Sequence, residues 1–472
     1  MTAGRYDDRF DVMVIGAGAA GLTAAGGCAL YGLRTALVER ERMGGECLNT
    51  GCVPSKALLA AAAAAQAVRD AGRFGIRVAP PSIDFAAVRA HVRRAIDTIA
   101  PHDSAETMAG YGVEVIAGSA RFLSPHRVAV GDRVLTAPRI VLATGSRPAV
   151  PPIPGLREVG FLINETLWDL ETLPDHLAIL GAGAVGVEMA QAFRRLGSAV
   201  TLIDAGLPLA HADHDAAATV LAALHRDGVT IRSHTSITRI DPGPVLHCDD
   251  GEPIVASHIL VATGREAVTE LGLDQAGLSA GPDGLVVDAR CRTAVRHIYA
   301  IGDCRAGPRL THVAGHEGTV VVQNIALGLP TKAERRHVPQ AIYTDPELAQ
   351  LGPTEAEARA GGGRVEVDVA PFAEDDRSVA EGTPVGFVKL VRVNGRTAGV
   401  TVVGTGAGEL LLPWAQVLAG RASRFALSGA IIAYPTRSER SKQAAFASLR
   451  PKLFSPALKR WARLLAHARR IP

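Results

Sequence analysis

The sequence predicts an α/β protein of several domains, and three observations carry that expectation. Its 472 residues exceed what one hydrophobic core usually organises, since domains run to ~100–200 residues. Two segments far apart in the chain repeat one pattern, an apolar strand running into a glycine turn and then a helix. Hydrophobic residues make up 47% and charged ones 21%, with 50 glycines and 4% aromatics, which excludes disorder and suits many tight turns.

The first copy runs from the apolar strand Phe10–Ile15 into Gly16-Ala-Gly18-Ala-Ala-Gly21 and an Ala-rich helix. It ends in strand Thr35–Val38, closed by Glu39. The second has strand Leu177–Leu180, then Gly181-Ala-Gly183-Ala-Val-Gly186, a helix to Leu196, and strand Ala199–Ile203 closed by Asp204. In both, the acid stands 23 positions after the first glycine. Strand, turn, helix and acid in this register make a Rossmann-like dinucleotide site. The glycines let the backbone approach a pyrophosphate, the helix N-terminus supplies N–H donors, and the acid accepts from a ribose diol. Two copies predict two nucleotides, most simply a flavin dinucleotide and a nicotinamide dinucleotide.

Two more apolar strands end in the same turn, Ile140–Thr144 before Gly145 and Ile259–Thr263 before Gly264. A later one, around Ile298, ends in Gly302-Asp303. From about residue 338 the texture changes. Gly386–Val393 and Thr397–Gly404 alternate around Asn394-Gly395, a hairpin signal, and helical patterns follow near 408–420 and 437–449. That region is expected to be an antiparallel sheet with helices.

The net charge of +3 conceals an asymmetry, because residues 451–472 carry six Lys/Arg and no Asp/Glu. The remaining body is slightly acidic, which excludes a nucleic-acid binder. Six cysteines form no disulfide scaffold, the N-terminus is charged where a signal peptide needs an apolar stretch, and no apolar run reaches 18 residues. A cytoplasmic enzyme without a spanning helix is expected.

The chemistry concentrates in Gly44-Gly45-Glu46-Cys47-Leu-Asn-Thr-Gly51-Cys52-Val-Pro54-Ser-Lys56. On a regular helix the two cysteines would stand ~7.5 Å apart along the axis and ~140° apart around it. A disulfide needs Cα atoms within about 6.8 Å, so the pair can join only across an irregular turn. Asn49-Thr50-Gly51 offers one, and Pro54 suits the first position of the helix that follows. Cys52 then sits near a helix N-terminus, which favours its thiolate. Zinc usually needs a second close ligand pair, and Cys28, Cys248, Cys291 and Cys304 are scattered, so no metal site is expected and those four are assigned to the core. Two unrelated buried thiols compete with a redox disulfide beside a flavin, and the adjoining nucleotide fold favours the latter.

At these residues the chain resembles the flavin-dependent pyridine nucleotide–disulfide oxidoreductases, which include dihydrolipoamide dehydrogenase, glutathione reductase and mercuric reductase. The resemblance covers the chain to about residue 450 and rests on GGECLNTGCVPSK, both glycine turns, the IYAIGD motif and YTDPELAQLG. It implies a homodimer with an FAD domain (1–149 and, with the central region, 273–337), an NAD(P) domain (150–272), an α+β dimerisation domain (338–450) and a basic tail (451–472). It also implies roles for individual residues. Cys52 would face the flavin in a charge-transfer complex, and Cys47 would be the interchange thiol that meets the substrate. Lys56 would stand beside the reactive flavin nitrogen, with Glu188 as its ion-pair partner. Glu39 would hold the adenosine ribose of FAD and Asp303 the ribityl chain. Gly45, Gly118, Thr144, Gly145 and Thr311 would line the flavin, and Gly264 the nicotinamide nucleotide.

The chain departs from the family pattern at its C-terminus. Disulfide reductases carry His-Pro with Glu five residues after the His, whereas this chain reads Tyr434-Pro435 with Glu439 in place. Mercuric reductases also have Tyr here, together with a C-terminal cysteine pair, but no Cys follows Cys304. The expected enzyme is therefore mercuric-reductase-like with an unidentified metal-ion or small-molecule acceptor, and dihydrolipoamide dehydrogenase is the alternative. NADH is expected over NADPH, because Asp204 would repel a 2′-phosphate and no Lys or Arg lies between Arg195 and Arg226. In the tail, Leu458, Trp461, Leu464, Leu465 and Ala468 share one helix face among Lys459, Arg460, Arg463, Arg469 and Arg470. Packing of this helix on the dimer is the favoured expectation. Weak membrane association, and with it a membrane-tethered redox sensor, is the alternative of another class.

Overall fold

The computed structural model describes residues 7–468. The chain divides into two compact units, Met1–Ala205 with His234–Glu334, and Gly206–Ser233 with Arg335–Pro472.

In the first unit a parallel sheet of five strands runs in the order Ile298–Ala300, Ile140–Leu142, Val12–Ile15, Thr35–Glu39, Val113–Ala117. Its middle strands are apolar on both faces because helices cover both, which is why Val12, Met13, Val14 and Leu37 are all fully buried. Each such side chain contributes ~1.5–3 kcal/mol of burial. Helix Ala19–Leu30 follows the first glycine turn and packs on helix Thr311–Ala326. A second parallel set, Ala199–Ile203, His176–Leu180 and His258–Val261, carries the second glycine turn and helix Ala184–Leu196. Both strands end two residues before the expected turns, at Leu142 and Val261, since the backbone leaves the ladder as it approaches the glycine. A short antiparallel ribbon, Ser146–Pro148 against Arg265–Ala267, follows both of those turns.

The cysteine segment differs from expectation in one respect. Gly45–Asn49 is itself a helical turn, and the long helix starts at Cys52, so Pro54 is its third residue and not its first. Proline is tolerated there because N–H groups of a first helical turn have no intrahelical acceptor. Residues 45–74 form the one stretch, among the described residues, long and apolar enough to cross a membrane by length and composition alone. Its apolar side chains Leu58, Ala62 and Ala65 are buried within the nucleotide fold.

The second unit contains an antiparallel sheet in the order Pro339–Ile342, Glu347–Leu351, Arg396–Gly404, Phe387–Val393, Val365–Pro371. Its central hairpin pairs Val393 with Arg396 across a two-residue turn in which Asn394 (φ 51°) and Gly395 (φ 76°) are both left-handed, as a type I′ turn requires. Helix His214–Asp227 belongs to this unit. The buried Lys389 ammonium donates to Asp213 at 2.8 Å, and the Asp213 N–H donates to Gln350. Helix Ser438–Leu453 packs against the sheet, and Trp414, fully buried beneath it, donates to Ser441. Pro456–Ala468 is helical with no buried residue and leaves Leu458, Trp461 and Leu464 exposed, while Arg469 and Arg470 of the expected basic face lie outside the described residues.

Candidate active site

Both glycine turns are built alike. The first glycine adopts a positive φ (105° at Gly16, 100° at Gly181) that a side chain would strain. The third packs so tightly that a Cβ on Gly21 would stand 1.8 Å from the Gly16 carbonyl oxygen, and one on Gly186 1.9 Å from that of Gly181. The second caps the helix with no side-chain hydrogen bond, leaving first-turn N–H groups for a ligand. In each copy the acid reaches back to the turn: Glu39 accepts from the Ala17 N–H and Asp204 from the Ala182 N–H, both at 2.7 Å. Open second glycines, uncapped helix starts and anchored acids fit pyrophosphate and ribose groups, and therefore fit FAD and a nicotinamide dinucleotide.

The first turn abuts the cysteine loop. A Cβ on Gly45 would lie 2.6 Å from the Gly18 Cα, so only glycine allows the two backbones to touch there. Both active cysteines are thiols in the structure, Cys52 exposed and Cys47 half-buried. The Cys52 thiol is pulled down to about 6, first by a hydrogen bond from Cys47 and then, against partial desolvation of the sulfur, by Thr311 at 3.4 Å and the Lys56 charge. Its place at the helix N-terminus acts the same way. The Cys47 thiol is pushed up by donating that bond and by burial. Lys56 donates to Glu188 at 2.7 Å across the first unit, joining the cysteine helix to helix Ala184–Leu196. Glu188 is nearly buried, while the Lys56 ammonium stays partly exposed.

Asp303 accepts from the Ser146 hydroxyl at 2.8 Å, and its neighbour Gly302 donates to buried Glu317, which is paired with buried Arg305. The remaining cofactor assignments fall at strand ends. Gly118 donates to the Glu39 carbonyl, Thr144 donates to the Val268 carbonyl, and Gly145 and Gly264 have positive φ and open space where a Cβ would be.

Three polar residues of this site escape sequence reasoning. Glu46 is ion-paired with Arg265 and accepts from Asn164 at 2.9 Å. Arg265 donates through Nε to Ser146 at 2.8 Å, so a continuous path runs Glu46–Arg265–Ser146–Asp303. Burial raises the Glu46 carboxyl to about 7 despite Arg265, with Asp303, Cys52 and Glu165 adding to the rise. The available signal was Arg265 directly after the Thr263-Gly264 turn, on a ribbon joined to the equivalent turn of the other half.

In the second unit Tyr434 is 69% exposed and its hydroxyl donates to Asp376 at 2.7 Å, an acceptor 58 residues away that the sequence did not suggest. That bond raises the phenol above its ordinary range, and Glu439 adds slightly to the rise. Phe425 and Ile431 are also exposed beside it in the chain.

The fold and site thus define a dinucleotide-binding protein with a polarised cysteine pair beside one of its two glycine turns. Residues 10–318 match the pyridine nucleotide-disulphide oxidoreductase family, and residues 338–445 match the dimerisation domain of that family. The chain belongs to the pyridine nucleotide-disulphide oxidoreductases, FAD-dependent oxidoreductases that use NAD(P)H and form homodimers through this domain. It is 34% identical to a mercuric reductase of Shigella flexneri over 92% of this chain and 80% of that protein. It is 36% identical to a dihydrolipoyl dehydrogenase of Thermus scotoductus over 92% and 96%. Among solved structures, the Cu(II) complex of the HOCl-induced flavoprotein disulfide reductase RclA from Escherichia coli matches with TM-score 0.83 and 27% identity, over 93% of this chain and 99% of that one. LpdA from Mycobacterium tuberculosis matches with TM-score 0.85 and 27% identity, with the same coverage. The membrane-tethered alternative finds no support in these relatives.

Proposed function

We propose that this protein is an NADH-preferring, FAD-dependent oxidoreductase whose Cys47–Cys52 dithiol passes electrons to a soft metal ion or small electron acceptor in preference to a disulfide. The observation that carries this reading is Tyr434. A histidine at this position would titrate near ~6.5 and could take and return a thiol proton at neutral pH. Tyr434 instead donates a hydrogen bond to Asp376, and at neutral pH it is deprotonated even less often than an ordinary phenol, so it cannot take up a thiol proton. A disulfide substrate needs a proton for its leaving thiolate, whereas a soft metal ion is bound by thiolates directly. The mercuric reductase relative and the Cu(II) bound to the RclA neighbour agree with a metal acceptor.

Bound FAD supplies the electron relay between the nicotinamide and the cysteine pair. Gly16, Gly18, Gly21 and Glu39 hold its pyrophosphate and ribose, with Asp303 on the ribityl chain. Lys56, held by Glu188, presents positive charge beside the ring. Cys52 is kept as a thiolate by Cys47, Thr311 and Lys56. On oxidation the pair, Cys52 thiolate and Cys47 thiol, loses two electrons and one proton as the S–S bond closes, and the acceptor takes the electrons near Cys47. Gly181, Gly183, Gly186 and Asp204 hold the second nucleotide, and Asp204 favours NADH by repelling a 2′-phosphate.

An acceptor screen on the FAD-loaded enzyme, following NADH consumption, tests the reading. Hg(II), Cu(II) or a quinone should be turned over faster than lipoamide or glutathione disulfide. Lipoamide reduction at the rate of a dihydrolipoyl dehydrogenase would transfer the assignment to that enzyme.

A further inference from the structure

A cavity of about 310 Å³ lies behind the cysteine loop in the first unit, and no glycine-turn residue or nucleotide-anchoring acid lines it. Its walls come from helix Phe85–Ile99, the cysteine helix, and the segment Leu167–Asp169. Three arginines line it, Arg42, Arg89 and Arg93, and among the described residues none of them is in an ion pair. The Arg89 Nε is buried with no hydrogen-bond partner. Phe85 and Phe193, with ring centroids 6.4 Å apart, supply an aromatic wall together with Trp168.

The geometry points to a binding site for a small aromatic monocarboxylate. Unpaired guanidinium groups match a carboxylate in a bidentate manner, and the aromatic wall matches a flat apolar body. Two acids, Asp97 and Asp169, also line the cavity. Three arginines against two carboxylates leave one surplus positive charge, which suits a monoanion and disfavours a phosphate dianion. The volume is at the lower end for ligand pockets, ~300–1,000 Å³, so a body of one or two rings fits.

The cavity is coupled to the redox turn through two of its lining residues. The Asn49 amide donates to the carbonyls of Met43 and Gly45 at 2.9 and 2.7 Å, and the Trp168 indole donates to the Thr50 carbonyl at 3.0 Å. These bonds pin the backbone between and beside Cys47 and Cys52. A ligand that presses on Asn49 and Trp168 therefore changes how freely that turn moves. Binding itself is independent of the acceptor proposed above, while the effect on the thiols rests on that reading of the pair.

Calorimetric titration of the FAD-loaded enzyme with 2-naphthoate should give one saturable site per protomer. Arg89→Gln or Arg93→Gln should weaken it at least about tenfold, whereas Arg94→Gln, on the same helix outside the cavity, should not. The neutral 2-naphthalenemethanol and inorganic phosphate should each bind at least about tenfold more weakly. Absence of saturable binding, equal binding of the neutral alcohol or of phosphate, or an equal loss in Arg94→Gln would overturn the site. Saturating naphthoate should also change the alkylation rate of the reduced cysteine pair at least about threefold, and an unchanged rate would overturn the coupling while leaving the acceptor screen unaffected.

Discussion

A side chain at Gly18 would lie 3.9 Å from the Gly45 backbone, while at the equivalent Gly183 nothing stands within 4 Å. The two helix caps otherwise share their conformation, φ −80°, ψ −175° against φ −76°, ψ −170°. Each anchors its acid on the residue after the first glycine at the same distance. The backbone solution for holding a dinucleotide is thus repeated, and the difference lies in what abuts it. The first turn is closed by a loop that brings in two thiols, and the second is left open. A resident cofactor beside redox chemistry and an exchanging co-substrate call for that contrast.

The largest expected effect breaks the chemistry at the closed turn. Cys52→Ser should lower NADH-driven acceptor reduction by at least ~10³-fold and abolish the long-wavelength band of the two-electron-reduced enzyme, and Cys47→Ser should show that band without reduction. In Cys47→Ser the band should fade as the pH falls, because it needs the Cys52 thiolate. A thiol lowered from 9.0 to about 6 keeps its charge down to the folded value, while the stability that charge confers is full above about 9 and is lost progressively as the pH falls to about 6. Since Cys47 supplies the largest part of that lowering, the midpoint in Cys47→Ser should lie above the wild-type value.

Next, the two turns can be separated by equivalent substitutions. Gly21→Ala and Gly186→Ala make the same clash, yet the first should purify with several-fold less FAD and the second with normal FAD and a several-fold higher KM for NADH. Loss of FAD from both would show that the open turn is part of the flavin site. A smaller effect is expected from Asp204→Ala, which should narrow the NADH-over-NADPH ratio of kcat/KM by about tenfold, or ~1.4 kcal/mol. An unchanged ratio would mean that Asp204 serves only to tie down the turn through Ala182. Smallest is Tyr434→His, expected to raise disulfide turnover several-fold while leaving metal-ion turnover unchanged, as a steady-state comparison of the two acceptors would reveal.

Both turns were legible because their signal is local, with strand, three glycines, helix and acid within 24 residues of chain. The Asn394-Gly395 hairpin was legible for the same reason, since the left-handed pair dictates the turn. The cysteine spacing announced redox chemistry, but the helix start at Cys52 was obscured by Pro54, which tolerates any position in a first turn. What stayed hidden depends on distance along the chain. Glu46, Ser146, Arg265 and Asp303 form one path although more than two hundred residues separate its ends, and Asp376 meets Tyr434 across 58. Neither pairing has a periodicity to betray it. The short strands Ala120–Ser124, Arg127–Val130 and Arg133–Thr136 were missed because each is too brief to stand out from its turns.

Thr311, which holds the Cys52 sulfur at 3.4 Å, enters the chain 259 residues later. At roughly 5–20 residues per second of synthesis, on the order of 13–50 s pass between the two leaving the ribosome. The edge strand Ile298–Ala300, which completes the first sheet beside Ile140–Leu142, arrives equally late. During that interval the thiol lacks the partner from the far end of its own unit, and its acidity falls short of the finished value. The thiol therefore gains this contact only when nearly two-thirds of the chain has been made.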